Sequence, residues 1–434
     1  MKQTAYIIMA TVMLATAGCD DSLVKNVGET PAATVNRYDV RLVIDLPADL
    51  DGVELTDERY VFKNISTGRT STFDAADGIR LMAGLYDVTY TAGARLASGN
   101  MSVVRAFTQS VQVTGPGTVV SMTAWHNMTS EDLVIAEVFF AGTLQPSGNS
   151  YYGDDYVKLY NNTGHVVYAD GLTLFETKFL TTQKYQYEPD VMDRAVTVQA
   201  LYTVPGSGTD HPVQPGGYLT LADIAIDHRV SNPNSFDLSH ADFEWYDVSK
   251  SPAHMDIYNH DVPNLDKWYC YTQSFWMLHD RGFKAYGIAR IPVDKDTYLK
   301  EYRYDYEYTM VLESGTFPMS QSAYMLPNEW VVDIVNCSVA SAYAWNLCAP
   351  SLDMGWTGCG TIDKDKTRYF HSVRRKMLRL NGDGNPILKD TNNSSEDFNP
   401  HCTPSETELQ HAATDAQGTP CTTLTHDGVT PMNR

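Results

Sequence analysis

Six of the twelve histidines fall between positions 211 and 279, and four of them stand beside an aspartate: Asp210-His211, Asp227-His228, His260-Asp261 and His279-Asp280. A carboxylate next to an imidazole can orient the ring and raise its basicity, the arrangement that supports metal ligation or proton transfer. In HMDIYNHD, His254 and His260 are six residues apart, an even spacing that puts both on one face of an extended segment. Sequence neighbours in a strand point apart, however, and polar loops are rich in both residue types. Surface and hydrogen-bonded roles are the favoured reading, and no metal, haem or other cofactor is expected.

Just downstream, WYCYTQSFWM (268–277) concentrates aromatic rings. Trp268, Tyr271 and Trp276 offer a platform for a sugar ring or a peptide, because such faces bury much area at low entropic cost. The plainer reading makes them the core of their own segment, tied down by Cys270. Candidate ligand-binding residues are thus Trp268, Tyr271, Trp276, His254 and His260. Two acidic stretches resemble calcium loops in composition alone. LKDTNNSSEDF (388–398) and NGDGN (381–385) lack the ligand spacing that encloses the ion, and side chains bonding to nearby backbone explain them as turns. Sequence signatures of serine hydrolases, zinc proteases, P-loops and dinucleotide sites are absent, so binding is expected rather than catalysis.

The elements that must position these residues read as strands. YDVRLVIDL, RYVFKNI, LYDVTYTA, SVVRAFTQSVQV and TVVSMTAW, all between 38 and 125, alternate with a period of two and are separated by Gly, Pro and Asp turns. In VIAEVFF and YVKLYN the apolar row packs inward while Glu137 and Lys158 take the other face. In EYRYDYEYTMVLE, four tyrosines (302, 304, 306, 308) share one side and the charges the other. With 53 acids against 32 bases, the net charge of −21 disfavours nucleic acid as a partner.

At the N-terminus, Lys2 precedes an apolar run from Ala5 to Ala17 that is too short to span a bilayer, which takes roughly 20 residues. It has the parts of an export signal. Ala15-Thr16-Ala17-Gly18 before Cys19 resembles a bacterial lipobox, which implies cleavage after residue 18 and lipidation of Cys19. Asp20 and Asp21 resemble the acidic export signal of Bacteroidota surface lipoproteins. Six further cysteines, Cys270, Cys337, Cys348, Cys359, Cys402 and Cys421, are an even number in an exported chain and are expected to form disulfides rather than a zinc site.

Two resemblances extend over the mature chain. IRLMAGLYDVTYTA is similar to the closing strand of small prealbumin-like or carboxypeptidase-regulatory-like sandwiches. DLVIAEVFFAG, DDYVKLYNNTG, YADGLTL, PVQPGGYLTLAD and, near the other end, SVRRK and KDTNNSSEDF resemble in order the blocks of a lamin-tail domain, an immunoglobulin-like sandwich. Together with the lipobox they resemble a family of Bacteroidota lipoproteins of unknown function. The expectation is all-β: a signal peptide (1–18), a lipidated linker (19–35), a small sandwich (36–125), and an enlarged lamin-tail-like sandwich (130–405). Insertions lie near 176–210 and 224–355, and a polar tail spans 406–434. By resemblance, the protein is a lipid-anchored component at the outer face of the outer membrane, acting as a non-catalytic binding accessory of a TonB-dependent transporter or another β-barrel. A structural or adhesive envelope protein and a secreted hydrolase are the alternatives.

Overall fold

The protein is described from a computed structural model, which covers residues 36–46, 50, 52–95, 101–127, 132–245, 247, 249 and 257–410. Cys19, Asp20, Asp21, His254 and Cys421 lie outside the described residues.

The first part of the chain forms β1 (Arg37–Asp45), β2 (Leu55–Asn64), β3 (Thr70–Phe73), β4 (Arg80–Met82), β5 (Gly84–Arg95), β6 (Met101–Val113) and β7 (Thr118–Asn127). They join in the order β3-β2-β5-β6-β7-β1-β4, antiparallel except for the parallel β1–β7 pair. Every second residue of β5 is buried from Tyr86 to Ala94, as the alternation requires. All seven strands contribute to one core containing Val40, Phe62, Leu81, Val88, Val104 and Met122, β3 through the partly buried Phe73. A single sheet that encloses one core must curl over it, which gives the small sandwich expected from the sequence.

The second part begins with β8 (Leu133–Phe139), β9 (Tyr156–Asn161), the short β10 (Val167–Tyr168), β11 (Leu172–Thr177), β12 (Ala195–Thr203), the short β13 (Pro212–Val213), β14 (Tyr218–Ala222) and β15 (Phe243–Glu244). It continues with β16 (Asp266–Cys270), β17 (Ala285–Arg290), α1 (Lys295–Glu301), β18 (Arg303–Leu312), β19 (Gly315–Pro327) and β20 (Val331–Asn336). The last elements are β21 (Ser372–Arg375), the hairpin β22 (Met377–Leu380) and β23 (Pro386–Leu388), α2 (Ser394–Asp397), β24 (Phe398–Cys402) and α3 (Ser405–Gln410). One sheet runs β18-β19-β12-β11-β17-β20, with β16 also on β12, and a second runs β15-β14-β9-β8-β21-β24. Leu133, Leu159 and Val373 of one sheet meet Leu174, Tyr202 and Ile288 of the other in a shared core. The architecture is therefore all-β, with two sandwich units. The stretches 176–210 and 224–355 supply most of the first of these two sheets, so they belong to the sandwich core itself.

Glu137 and Lys158 do lie on the face opposite the core, but they are 1% and 3% exposed. Residues 398–410 return as β24, which extends the sheet beside β21, and α3, whose glutamates cover that face. Lys158 Nζ meets Glu406 Oε1 at 2.6 Å, and Arg374 Nη1 meets Glu408 Oε2 at 2.6 Å. Glu137 Oε1 accepts from Tyr156 Oη (3.0 Å), Ser372 Oγ (2.6 Å) and Ser405 N (3.0 Å). On the opposite side of the strand that carries Arg374, Arg375, 1% exposed at its side chain, pairs with Asp333 of the facing sheet and with Asp390. A charge taken out of water is tolerated only with such partners. The acidic KDTNNSSEDF segment packs against Arg375 through Asp390, and Asp397 accepts from Thr391 N at 2.6 Å and Thr391 Oγ1 at 2.5 Å, which closes the turn.

Candidate functional site

At one end of the second sandwich, β8, β11 and β14 finish and β9, β17 and β21 begin, and their loops surround a cavity of about 450 Å³. Its walls include Phe140, Tyr151, Asp155, Glu176, Tyr271 and His279. That volume lies in the range of small-molecule sites, roughly 300–1,000 Å³.

Glu176 arrives there by strand periodicity. Leu172 and Leu174 of β11 point into the core, and Glu176 continues the same row as a carboxylate where an apolar side chain would otherwise stand. The pairing with β12 shifts at this point, from Glu176–Ala200 to Thr177–Val198, so Gln199 is an extra residue, a β-bulge. Such bulges re-aim side chains beside functional sites. Gln199 Nε2 donates to Glu176 Oε1 at 2.5 Å. Glu176 is 1% exposed, and its other oxygen, Oε2, has no hydrogen-bond partner. The Trp276 indole N–H and the His279 backbone N–H are turned toward this carboxylate and favour its charged form against the effect of burial, while the indole stops short of a formed hydrogen bond.

Lys284 precedes β17 and also lines the cavity, and its Nζ donates to the carbonyls of Thr177 (3.0 Å) and Lys178 (2.8 Å). Burial raises the Glu176 carboxyl above its usual range and lowers the Lys284 ammonium to about 8, each effect partly offset by the opposite charge of the other. Asp155 is pushed well above the usual carboxylate range by burial, with the neighbouring charge of Asp154 adding to it. His279 is held down to about 4, again chiefly by burial, and its Nδ1 accepts from Phe283 N at 3.4 Å. The ring is therefore neutral near pH 7. Behind the wall, Asp154 is fully hydrogen-bonded, to Thr143 Oγ1 at 2.5 Å and Ser235 Oγ at 2.7 Å. Gly153 sits at φ +101°, and a Cβ there would meet Ile224 Cδ1 at 2.6 Å, so the loop carrying Asp154 and Asp155 requires glycine.

The described residues of the sequence-expected site do not assemble. Trp276 is 1% exposed in the core between the sheets, stacked on Tyr202 with centroids 4.9 Å apart. Trp268 packs on the opposite face of its sheet, toward Tyr298. Of the three proposed platform rings, only Tyr271 lines the cavity, with the Lys178 ammonium 5.9 Å from its centroid. His260 is exposed against Tyr258. Two of the His-Asp pairs did mark interior positions. His228 is fully buried and donates from Nε2 to Ile224 O at 2.8 Å, and His279 lines the cavity. Among the described residues no cluster of three or more His, Cys, Asp or Glu is arranged to hold a metal ion. The five described cysteines, Cys270, Cys337, Cys348, Cys359 and Cys402, are buried free thiols, and none is joined in the disulfides anticipated for an exported chain. Glu176, Asp155 and Lys284 were not singled out from the sequence. The available signal was the charge that ends the inward row Leu172-Leu174-Glu176.

Comparison with known proteins bears on the second sandwich most directly. A search of curated proteins gives no match. Among solved structures, the chain is similar to a DUF4876 family protein from Bacteroides thetaiotaomicron. The TM-score is 0.51 at 18% sequence identity, over 84% of this chain and 95% of that one, a likeness of fold. Residues 214–405, which include Lys284 and His279 of the cavity wall and the Arg375–Asp333 pair but neither Glu176 nor Asp155, match the model of a protein family of unknown function, DUF4876.

Proposed function

We propose that this protein is a non-catalytic binding component that captures a small polar ligand in the cavity at the end of the second sandwich. The observation that carries the reading is Glu176 Oε2, a buried carboxylate oxygen without a hydrogen-bond partner in the wall of a cavity of ligand size. A buried acceptor left unpaired costs about 1–3 kcal/mol or more, so a ligand that brings a hydroxyl or amine donor to it gains that amount on binding. Tyr271 and Phe140 supply apolar wall for a ring of monosaccharide or amino-acid size.

The cell context follows from the N-terminal residues. We place the chain as a lipoprotein of a Bacteroidota outer membrane, anchored through Cys19, with a lamin-tail-like second domain, facing outward and delivering ligand to a TonB-dependent transporter or another β-barrel. In this reading the acyl chains on Cys19 hold the protein to the membrane. The test combines a thermal-shift screen of monosaccharides and amino acids on the processed protein with the variants Glu176→Gln and Tyr271→Ala. Stabilisation of the wild type that both variants abolish supports capture. A complete library without a hit, or hits indifferent to both changes, refutes it.

A hydrolase is the second reading, favoured by one observation: Asp155 and Glu176, two carboxyls held above their usual range, share the cavity. A carboxyl raised in this way is suited to general-acid work near neutral pH. Turnover of a chromogenic glycoside or ester that vanishes in Glu176→Gln and Asp155→Asn would replace the binding reading with this one.

A further inference from the structure

A second cavity, of about 650 Å³, lies where the segment between β11 and β12 folds across one face of the β18–β19 hairpin. Residues Glu188 and Glu307 exchange backbone hydrogen bonds, each N–H donating to the other's carbonyl at 2.9 Å, which fixes the segment on the hairpin edge. The walls are aromatic: Phe179, Tyr185, Tyr187, Tyr304 and Trp345. The rings brace one another, with Phe179 stacked on Tyr187 at 3.9 Å and Tyr185 against Tyr308 at 4.8 Å. Trp345 Nε1 donates to the carbonyls of Leu180 (2.9 Å) and Gln183 (3.0 Å), so the indole is fixed in the cavity wall. The charged residues that line the cavity are Glu188 and Asp190, both exposed, and Lys184.

Lys184 is the informative residue. Its ammonium lies 5.4 Å from the centroid of the Trp345 ring, the geometry of a cation–π contact. The side chain is exposed, and no other bonding partner for its Nζ is described that would hold it there. The protein's own lysine thus marks a position where the aromatic wall accepts a cation, with two carboxylates within the same cavity.

We propose that this cavity is an organic-ammonium site, an aromatic cage for a quaternary or methylated amine, in which Lys184 occupies the cation position until ligand displaces it. The amine is either part of a small molecule or a methylated side chain of a peptide; the chemistry recognised is the same. The site is distinct from the Glu176 cavity and stands whether or not that cavity binds anything.

The experiment titrates the full processed protein with choline, with a short trimethyl-lysine peptide, and with 3,3-dimethylbutanol, a neutral isostere of choline, following tryptophan fluorescence and calorimetric heat. Choline is expected to bind about tenfold more tightly than the isostere, which lacks the charge the ring attracts. Lys184→Ala removes the resident competitor and tightens choline binding severalfold. The paired variant Glu188→Gln with Asp190→Asn weakens it, and Glu176→Gln leaves it unchanged. Preference for the peptide over choline assigns the source as a modified chain, and the reverse assigns it as a free small molecule. Equal binding of choline and the isostere, no binding by either wild type or Lys184→Ala at millimolar ligand, or weaker binding by Lys184→Ala overturns the proposal. Far-ultraviolet circular dichroism of each variant shows that it is folded.

Discussion

The two sandwiches treat charge in opposite ways. In the first, the interior is apolar: Phe62, Val88, Tyr90 and Val104 meet in one core, and Arg105 is the one charged residue buried among the described residues there. In the second, Glu137, Lys158, Glu176, Lys284, Asp333, Arg374, Arg375 and Glu406 are each 4% exposed or less, except Asp333 at 8%. Buried charge is costly, so its concentration in one unit needs a cause. Two causes separate. On the outer face of one sheet, the returning C-terminal segment converts a surface into an interface and pairs the charges it covers. At the end of the sandwich, Glu176 keeps an oxygen without a partner. Glu408 Oε1 and two nitrogens of Arg105 are also buried without a partner, but of these groups only Glu176 lines a cavity of ligand size, and that combination marks the candidate site.

The largest effect that would break this comparison is the removal of half of a buried pair. Lys158→Ala or Glu406→Ala leaves the other charge stranded and should cost about 3–5 kcal/mol in denaturant unfolding. The isosteric double change Lys158→Met with Glu406→Leu should recover most of that loss, because apolar groups of similar size need no partner. A double variant no better than either single one would show that the pair itself, and not the stranded charge, carries the stability.

Acid sharpens the same contrast. Glu406 is lowered from 4.5 to about 2 by its hydrogen bond to His240 and by Lys158, against the opposing effect of burial. A carboxylate with a depressed folded pKa contributes stability that is present above its unfolded value and lost as pH falls through its folded one. Unfolding of the second sandwich should therefore become easier between pH 4.5 and about 2 in the wild type, and that slope should flatten in Glu406→Gln. His240 runs the other way. Its pKa is raised, mainly by hydrogen bonding to Glu406, so its contribution is complete below the unfolded value of 6.5 and fades as pH rises through the higher folded one. Titration of stability in wild type and His240→Ala checks this, with convergence of the two curves at alkaline pH.

The smallest expected effect lies in the first sandwich. Tyr90 donates from Oη to Glu58 Oε2 at 3.0 Å, and Tyr90→Phe should cost about 0.5–1.5 kcal/mol, the net value of a partly buried hydrogen bond. A loss as large as that of Lys158→Ala would remove the distinction between the two units.

The alternation of LYDVTYTA and RYVFKNI made the first sandwich legible, because strand periodicity is local and one face of that sheet stays in water. It made the second only half legible. The period placed Glu137 and Lys158 on the face away from the core, correctly, but their burial depends on residues more than two hundred positions away, which no window along the chain can reach. The aromatic run 268–277 misled for a related reason: Trp268 and Trp276 look adjacent in sequence yet pack on opposite faces of one sheet. Tyr304 and Tyr306, in contrast, lie buried on one side of β18 with Arg303, Asp305 and Glu307 exposed on the other, as their spacing required. Glu176 was visible in principle, as a charge at an inward position, but the bulge at Gln199 that makes room for it is a property of two paired strands.

The most direct test of the account is a crystal structure of the protein with its tightest ligand from the small-molecule screen. The account predicts a hydroxyl or amine of the ligand within about 3 Å of Glu176 Oε2, the usual donor–acceptor separation, with Tyr271 against its ring. A ligand seated elsewhere, with Glu176 Oε2 accepting instead from the Trp276 indole N–H, would contradict it.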